Sequence, residues 1–460
     1  MATWWVLMRH RCPRVEVVVA GLLAGVMIAA GLPANGHAAG ARPRGEILRA
    51  GAASLALDVP AGTPLAGYGA LPRRPWLPDV FGRVPYAFWF KPSTGVLDPV
   101  MARALVVSTP SSRLLWLTAD LIAVDRDFTD EVSRRVAGAG MAPATLIISA
   151  SHTHSGPGAF LDSALMGFLA VDRQDPGVRR ALVGSLVEAV RRADASAVEA
   201  RAGAFSVQAP PVVSSRLRQP VDNEIVGLGF TTPAGRPIAV VWNYAVRGTM
   251  LGPRNLRLSP DVMGVASRAI EQRLGAPALF VNGAMGDVSP ARHGEQTAKD
   301  VGAELAATVS RGWEDRVPID RPGLATATTR LALGSPGLSV RNCVASWVPR
   351  AVRLPLGRVF PREAELLAVA IGDVAWVTVP GELQARLGLE IKRSARGTWR
   401  RVFIAGTSND YLGYFVTGPD YDWGHYASCT SVYGRGGGDR IAKTARKLLG
   451  QLAGSRPKTE

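Results

Sequence analysis

Long apolar stretches alternate along this chain with segments in which apolar residues return every three or four positions. The runs "ARALVVS" (102–108), "LLWLTADLIAV" (114–124), "TLIISAS" (145–151) and "IAVVWNYAV" (238–246) lean towards β-structure and lack strict polar alternation. That is the pattern of strands covered on both faces. Between them fall helical patterns: "TDEVSRRVAGAG" (129–140) with Gly138 and Gly140 as stop signals, "VRRALVGSLVEAVRRADAS" (178–196), "DVMGVASRAIEQRLG" (261–275) and "DVGAELAATVSRGW" (300–313). Further strands are predicted near 201–208 and 225–230, in "LLAVAIGDVAWVTVPGE" (366–382) and in "RVFIAG" (401–406), with helices in "LQARLGLEIKRS" (383–394) and "DRIAKTARKLLGQL" (439–452). No repeats or low-complexity linkers interrupt the series. The pattern predicts one large α/β catalytic-type domain, with function on loops at strand ends.

Two segments depart from the alternation. Residues 71–99 are rich in aromatics and prolines ("YAFWFKP"), the composition of an ordered loop at a cleft mouth or of a cover over core; Trp89 and its neighbours fit either. The N-terminus carries Arg9, Arg11 and Arg14, then sixteen uncharged positions from Val17 to Leu32, then Pro33 and "GHAAGA". This is the layout of a secretory signal peptide, and the apolar run falls short of the roughly 20 residues that span a bilayer. The expected organisation is therefore a signal peptide over 1–40, a domain over 41–455, and a secreted, periplasmic or cell-envelope location.

Composition adds limits. The net charge of +16 is dispersed, with only six lysines, scattered arginines and no like-charge block. No zinc-finger spacing or RNA-binding signature accompanies it, so no nucleic-acid partner is expected, whereas anionic lipid or cell-wall polymer is compatible with the charge. Cys12 lies in the leader, leaving Cys343 and Cys429, for which one disulfide is open.

There is no GxSxG elbow, HExxH, Walker loop or strand-linked GxGxxG. Attention falls on "ISASHTHSGPGAF" (148–160), where His152 and His154 stand two apart as a strand gives out into a Gly/Pro turn. In extended backbone such residues point the same way, so both imidazoles are expected to face one cavity, as metal ligand, acid, base or oxyanion donor.

"HTHSGPG" resembles the signature of the neutral, non-lysosomal ceramidases, zinc amidases that cleave the N-acyl bond of ceramide. "GTPLAGYG" (62–69), "NYAVRGTMLG" (243–252), "NGAMGDVSP" (282–290), "VPGEL" (379–383) and "NDYLGYFVTGPDYDWGHYASCTSVYG" (409–434) resemble that family in the same order, over nearly all of the chain after the leader. The resemblance implies a large multilayer mixed-sheet domain, a zinc cofactor, and ceramide or another N-acyl lipid as substrate, with peripheral membrane contact. By position, His152, Glu382 and Tyr414 resemble the zinc ligands. His154, Tyr426 and Arg216 resemble the groups that contact the scissile amide and its oxyanion. Ser289 matches a serine connected with activity, although Pro290 beside it gives a structural turn equal standing. Compared with ceramidases of this type, the chain is expected to be a short, divergent member without the C-terminal immunoglobulin-like domain that they often carry.

One position departs from the pattern: the family's other histidine ligand is here Arg247. A guanidinium has no lone pair and keeps its charge. Two outcomes are open. Either zinc is held by His152, Glu382, Tyr414 and a substitute, with Asp261 first and His293 and His425 after it, or Arg247 fills the space and pairs with Glu382, leaving a metal-free, impaired protein that binds an amphipathic or envelope ligand. Elsewhere, Gly67 and Gly69 read as tight-turn residues, Asp120 as a strand-end cap or an orienter of histidine, and Tyr411 and Tyr421 as packing residues.

Overall fold

A computed structural model of the chain describes residues 47–141 and 145–454, which belong to one compact unit. The leader expected over 1–40 lies outside the described residues. No described helix is long and apolar enough to cross a membrane.

Three mixed sheets build the domain. The first runs, in spatial order, Thr145–Ala150, Arg113–Ala119, Met101–Ser108 and Arg49–Ala56, with Val198–Glu199 at its edge. The second runs Ala278–Asn282, Pro237–Tyr244, Glu224–Thr231 and Arg201–Gln208, edged by Val317–Pro318. The third runs Leu324–Ala332, Glu363–Ile371, Val374–Thr378 and Arg401–Ala405. Each sheet is antiparallel except for one pair at or near one edge. Thr145–Ala150 lies parallel to Arg113–Ala119, Ala278–Asn282 parallel to Pro237–Tyr244, and Arg401–Ala405 parallel to Val374–Thr378. Each of these pairs is joined by a crossover containing a helix, as parallel pairing requires.

The strands read as apolar runs because both faces are covered. Their inner faces share one core containing Trp116 of the first sheet, Leu228 and Val241 of the second, and Trp376 and Phe403 of the third. Trp116 and Trp376 stack at 4.7 Å and 12°, and Trp376 and Phe403 at 5.5 Å and 7°. On the outer faces, helices Arg126–Gly138 and Pro176–Ala195 cover the first sheet, Asp261–Leu274 and Glu295–Glu314 the second, and Ala385–Ser394 and Gly437–Gly454 the third. The expected α/β architecture is therefore present.

Buried charge ties the layers together. Arg103, 2% exposed, reaches Glu271 at 2.7 Å on the Asp261–Leu274 helix and Asp120 at 3.5 Å. Asp120 also accepts from the Met101 amide at 2.9 Å. It is thus a strand-end cap within an ion-pair network, which resolves the two readings of this residue. Cys343 and Cys429 form a disulfide joining the short helices Val340–Cys343 and Tyr426–Cys429.

Trp116 is 1% exposed and donates from its indole to Ser149 Oγ at 3.1 Å. Trp116→Ala opens a void where the sheets meet and is expected to cost about 3–5 kcal/mol of stability, measured by urea unfolding.

Candidate active site

The carboxyl ends of the three parallel pairs point to one place, as ligand crevices in α/β sheets do. Beyond Thr145–Ala150 come His152 and His154; beyond Pro237–Tyr244 comes Arg247; beyond Val374–Thr378 and Arg401–Ala405 come Glu382 and Tyr411. Backbone-directed hydrogen bonds lock the ends together. Asn243 Nδ2 donates to Val281 O at 2.9 Å and Ile404 O at 2.8 Å, Asn282 Nδ2 donates to Ser151 O at 3.0 Å, and the Ala150 amide donates to Thr407 O at 3.1 Å.

The two histidines converge, but not by strand alternation. The strand ends at Ala150, and His152 takes a left-handed φ of 63°, an uncommon conformation for a residue with a side chain. The turn brings the rings to 5.0 Å between centroids, with Nε2 of His154 at 3.4 Å from Nε2 of His152. Gly67 lets His154 sit where it does: its φ is +118°, and a Cβ there would lie 2.6 Å from His154 Nδ1. Gly69 likewise faces Leu169 O at 1.8 Å from any added Cβ. Close approach is what requires both glycines, Gly67 also having a left-handed backbone, and for Gly67 the neighbour is a site residue.

His152 Nδ1 lies 2.7 Å from Ile122 O, an acceptor only, which assigns the proton to Nδ1 and leaves the Nε2 lone pair facing the centre. Arg247 Nη1 donates to that Nε2 at 3.2 Å. The same guanidinium donates from Nη2 to Glu382 Oε2 and from Nε to Val288 O at 3.2 Å, and it lies 5.6 Å from the centroid of the Tyr414 ring. Glu382 Oε1 accepts from the Tyr411 hydroxyl at 2.6 Å and is 3.3 Å from His152 Nε2. Parallel pairing of Glu382–Leu383 with Tyr414–Phe415 sets Glu382 directly opposite Tyr414. Arg216 sits over Tyr414 and Tyr426 at 5.9 and 5.8 Å, anchored through Gly286 O at 2.5 Å.

His152, Glu382, Tyr414, His154, Arg216 and Tyr426 are thus assembled at one place. Ser289 is not: it pairs in the short strand Val288–Pro290 with Ser214, and only the preceding carbonyl reaches Arg247. Tyr411, read from sequence as packing, is a direct partner of the carboxylate. Its position three residues before Tyr414 is the only sequence signal, and it does not say which phenol faces Glu382.

Burial disfavours charge on His152 and lowers its pKa to about 4, with Arg247 adding to the effect against the pull of Glu382. His154 is held well below the ordinary range by burial and by His152 and Arg247. Burial, the largest single effect, would raise Glu382, but Arg247, His152, the Tyr411 hydrogen bond and Arg216 together outweigh it and keep the carboxyl below its usual value. Arg247 in turn is kept charged by Glu382 despite its burial.

This donor set does not fit a zinc ion. Bonded to both His152 and Glu382 is a permanently protonated guanidinium, which offers hydrogens and no lone pair and repels a dication. Of the two outcomes open in the sequence, the arginine–carboxylate pair is the one the structure contains. The possible substitutes are placed elsewhere. Asp261 accepts from the amides of Met250, Leu251 and Val262 at 3.4, 3.2 and 2.7 Å, building a turn, with its pKa raised to about 6 by burial. His293 is exposed, and His425 caps the Tyr426–Cys429 helix. Among the described residues no group of three His, Cys, Asp or Glu is placed to hold a metal.

Comparison with known proteins agrees with the family resemblance read from the motifs. Residues 83–208 match the family model described as neutral/alkaline non-lysosomal ceramidase, N-terminal. A neutral ceramidase of Mycobacterium tuberculosis (strain ATCC 25618 / H37Rv) is 22% identical over 472 aligned positions, covering 80% of this chain and 74% of that protein. The fold is similar to the crystal structure of neutral ceramidase from Pseudomonas aeruginosa, with TM-score 0.75, 18% identity, and coverage of 90% of this chain and 76% of that one. It is also similar to a structure described as ceramidase complexed with C2, with TM-score 0.74, 18% identity, and coverage of 89% and 75%.

The donor set makes a direct prediction. Wild-type protein dialysed against excess zinc is expected to retain far less than one equivalent by atomic absorption, whereas Arg247→His, which places a third lone-pair donor beside His152 and Glu382, is expected to retain close to one.

Proposed function

We propose that this chain, a member of the neutral/alkaline non-lysosomal ceramidase family, is an exported hydrolase that cleaves the N-acyl amide bond of ceramide or a related N-acyl lipid. One observation carries the reading: two neutral imidazoles, a buried carboxylate–guanidinium pair and a second guanidinium with two phenols meet at the strand ends of this fold.

Hydrolysis joins water's hydroxyl to the acyl carbon, breaks the C–N bond, and transfers water's proton to the nitrogen, releasing a fatty acid and an amine. This chain's own groups supply the chemistry, because Arg247 stands where a metal would need ligands. Burial keeps His152 and His154 neutral at ordinary pH; with the His152 Nε2 lone pair engaged by Arg247, His154 is the imidazole proposed to take water's proton and return it to the departing nitrogen. Arg216 and the Tyr426 hydroxyl line the open side, with Tyr426 64% exposed and its ring 5.7 Å from that of Tyr414. They are the donors for negative charge developing on the carbonyl oxygen. Arg247 and Glu382 hold the imidazoles in place: the guanidinium fixes His152 Nε2, and Tyr411 fixes the carboxylate.

Assay of fatty-acid release from N-acyl-sphingosine tests the proposal, and a protein that binds the lipid without releasing acid overturns it in favour of a binding role. Loss of one oxyanion donor in Arg216→Ala is expected to lower kcat/KM by about 10²–10³. His154→Ala is expected to lower it by about 10²–10⁴. With His152 titrating at about 4, kcat/KM is expected to hold down through pH 6 and fall as pH drops through about 4, where the imidazole takes a proton. A pH–rate profile whose acid limb lies at the ordinary histidine value would contradict the buried, neutral assignment.

A further inference from the structure

The aromatic segment over 71–99 divides into a buried root and an exposed crest. Asp172, fully buried, accepts from the amides of Phe88, Trp89 and Phe90 at 3.0–3.2 Å and anchors the root. Arg73, 1% exposed, donates to Ala66 O at 2.9 Å and His154 O at 2.5 Å, fixing the same segment to the catalytic turn. The crest is different. Trp76 is 89% exposed, Leu77 80%, Val80 65% and Phe81 77%, four large apolar side chains within six residues. An exposed apolar cluster on a loop whose root is fixed calls for a partner.

A series of contacts joins the crest to the turn that carries His154. A depression of about 400 Å³ runs from Leu77 and Phe81 to Phe88 and Phe90. Trp89 follows, 4.7 Å from Phe88 and 5.1 Å from Phe168, which is itself 47% exposed beside Leu169 at 48%. Phe168 and Leu169 belong to the π-turn Gly167–Val171, whose Ala170 carbonyl accepts from the Gly67 amide at 2.7 Å. Gly67 is the residue packed on His154. These contacts tie the crest to the turn that carries the imidazoles.

Its flanks are basic. Arg83 lies over Phe81 at 5.0 Å, Arg173 over Phe88 at 4.4 Å, and Arg74 over Phe168 at 4.5 Å. None of the three is in a salt bridge among the described residues. The acid within the crest, Asp79, accepts from the Val84 amide at 2.7 Å and also feels the charge of Arg83. Exposed aromatics that enter the headgroup–acyl boundary, flanked by three arginines of which Arg74 is held by Gly69 O and Phe168 O and none is in a salt bridge among the described residues, complement an anionic bilayer better than they do an acidic protein face, which offers no apolar phase for Trp76 and Phe81.

We propose that Trp76, Leu77, Val80 and Phe81 form an interfacial docking surface that seats this protein on an anionic lipid bilayer, with Arg74, Arg83 and Arg173 against the headgroups and the depression beside it leading lipid towards His154. The lipid-delivery role rests on the hydrolase reading; the docking itself does not, so the test uses vesicles free of any amide lipid. Full-length protein is sedimented with phosphatidylcholine vesicles and with vesicles containing about a third phosphatidylglycerol. Binding is expected to the anionic vesicles and to weaken as salt rises. The triple variant Trp76→Ala, Leu77→Ala, Phe81→Ala, whose side chains are exposed and whose fold is checked by circular dichroism, is expected to lose roughly ten-fold or more in partitioning. Arg83→Glu with Arg173→Glu is expected to remove the preference for anionic lipid. Brominated acyl chains are expected to quench Trp76, and the quenching is expected to disappear in Trp76→Ala. Absence of wild-type binding at low salt, unchanged binding of the triple variant, or self-association through the crest in sedimentation velocity overturns the proposal. Vesicle binding, together with no fatty-acid release in the separate assay on N-acyl-sphingosine, leaves docking standing and removes the hydrolase reading.

Discussion

A single buried ion pair organises this molecule's centre. Arg247 and Glu382 are 4% and 1% exposed, and removing either would strand the other's charge in a low-dielectric interior, at about 3–5 kcal/mol. The pair survives because each member's remaining capacity is used. Arg247 also donates to His152 and Val288 O, and Glu382 also accepts from Tyr411. Those satellite bonds set the tautomer of His152, the direction of its lone pair, and the side of the cavity left open to Arg216 and Tyr426. A fixed organic cation thus stands at the convergence of the three sheets, and the neutrality of both histidines follows from it and from burial.

Three sheets with the same device make that convergence possible. Each puts one parallel pair at or near an edge, and a parallel pair aims two loops in one direction. Asn243 and Asn282, both buried, stitch those loops across sheets by donating to carbonyls of other strand ends. Residues separated by more than two hundred positions, such as His152 and Glu382, are thereby held within a hydrogen bond's reach. The stacked Trp116, Trp376 and Phe403 keep the sheets at a constant spacing beneath the site, so packing in the core and geometry at the centre are linked. On the outside, Asp172 and Arg73 perform the corresponding task for the aromatic segment, holding its root rigid while its crest stays in solvent.

The sequence by itself determined the layers and most of the site's membership. Apolar runs without polar alternation announce strands covered on both faces, and the helical periodicities between them locate the covering helices; both depend only on local composition and neighbour spacing. His152, His154, Glu382, Tyr414, Tyr426 and Arg216 were likewise legible, because they lie in short stretches with a recognisable order. Arg247 was legible as a conflict: its chemistry forbids metal ligation wherever it is placed.

Only the tertiary structure decided how those residues meet. Strand alternation suggested that the two imidazoles would share a face, whereas a left-handed φ at His152 turns them towards each other, and backbone conformation at one residue after a strand is set by long-range contacts with Leu121, Gly248 and Thr407. Asp120 goes to Arg103 and not to a histidine, Tyr411 packs against the core with its ring and reaches Glu382 with its hydroxyl, and Ser289 stays in a strand. In each case several partners are chemically equivalent, and distance in the folded chain selects among them. A sequence states which hydrogen bonds and ion pairs a side chain is able to make; the fold alone fixes which partner comes within about 3 Å.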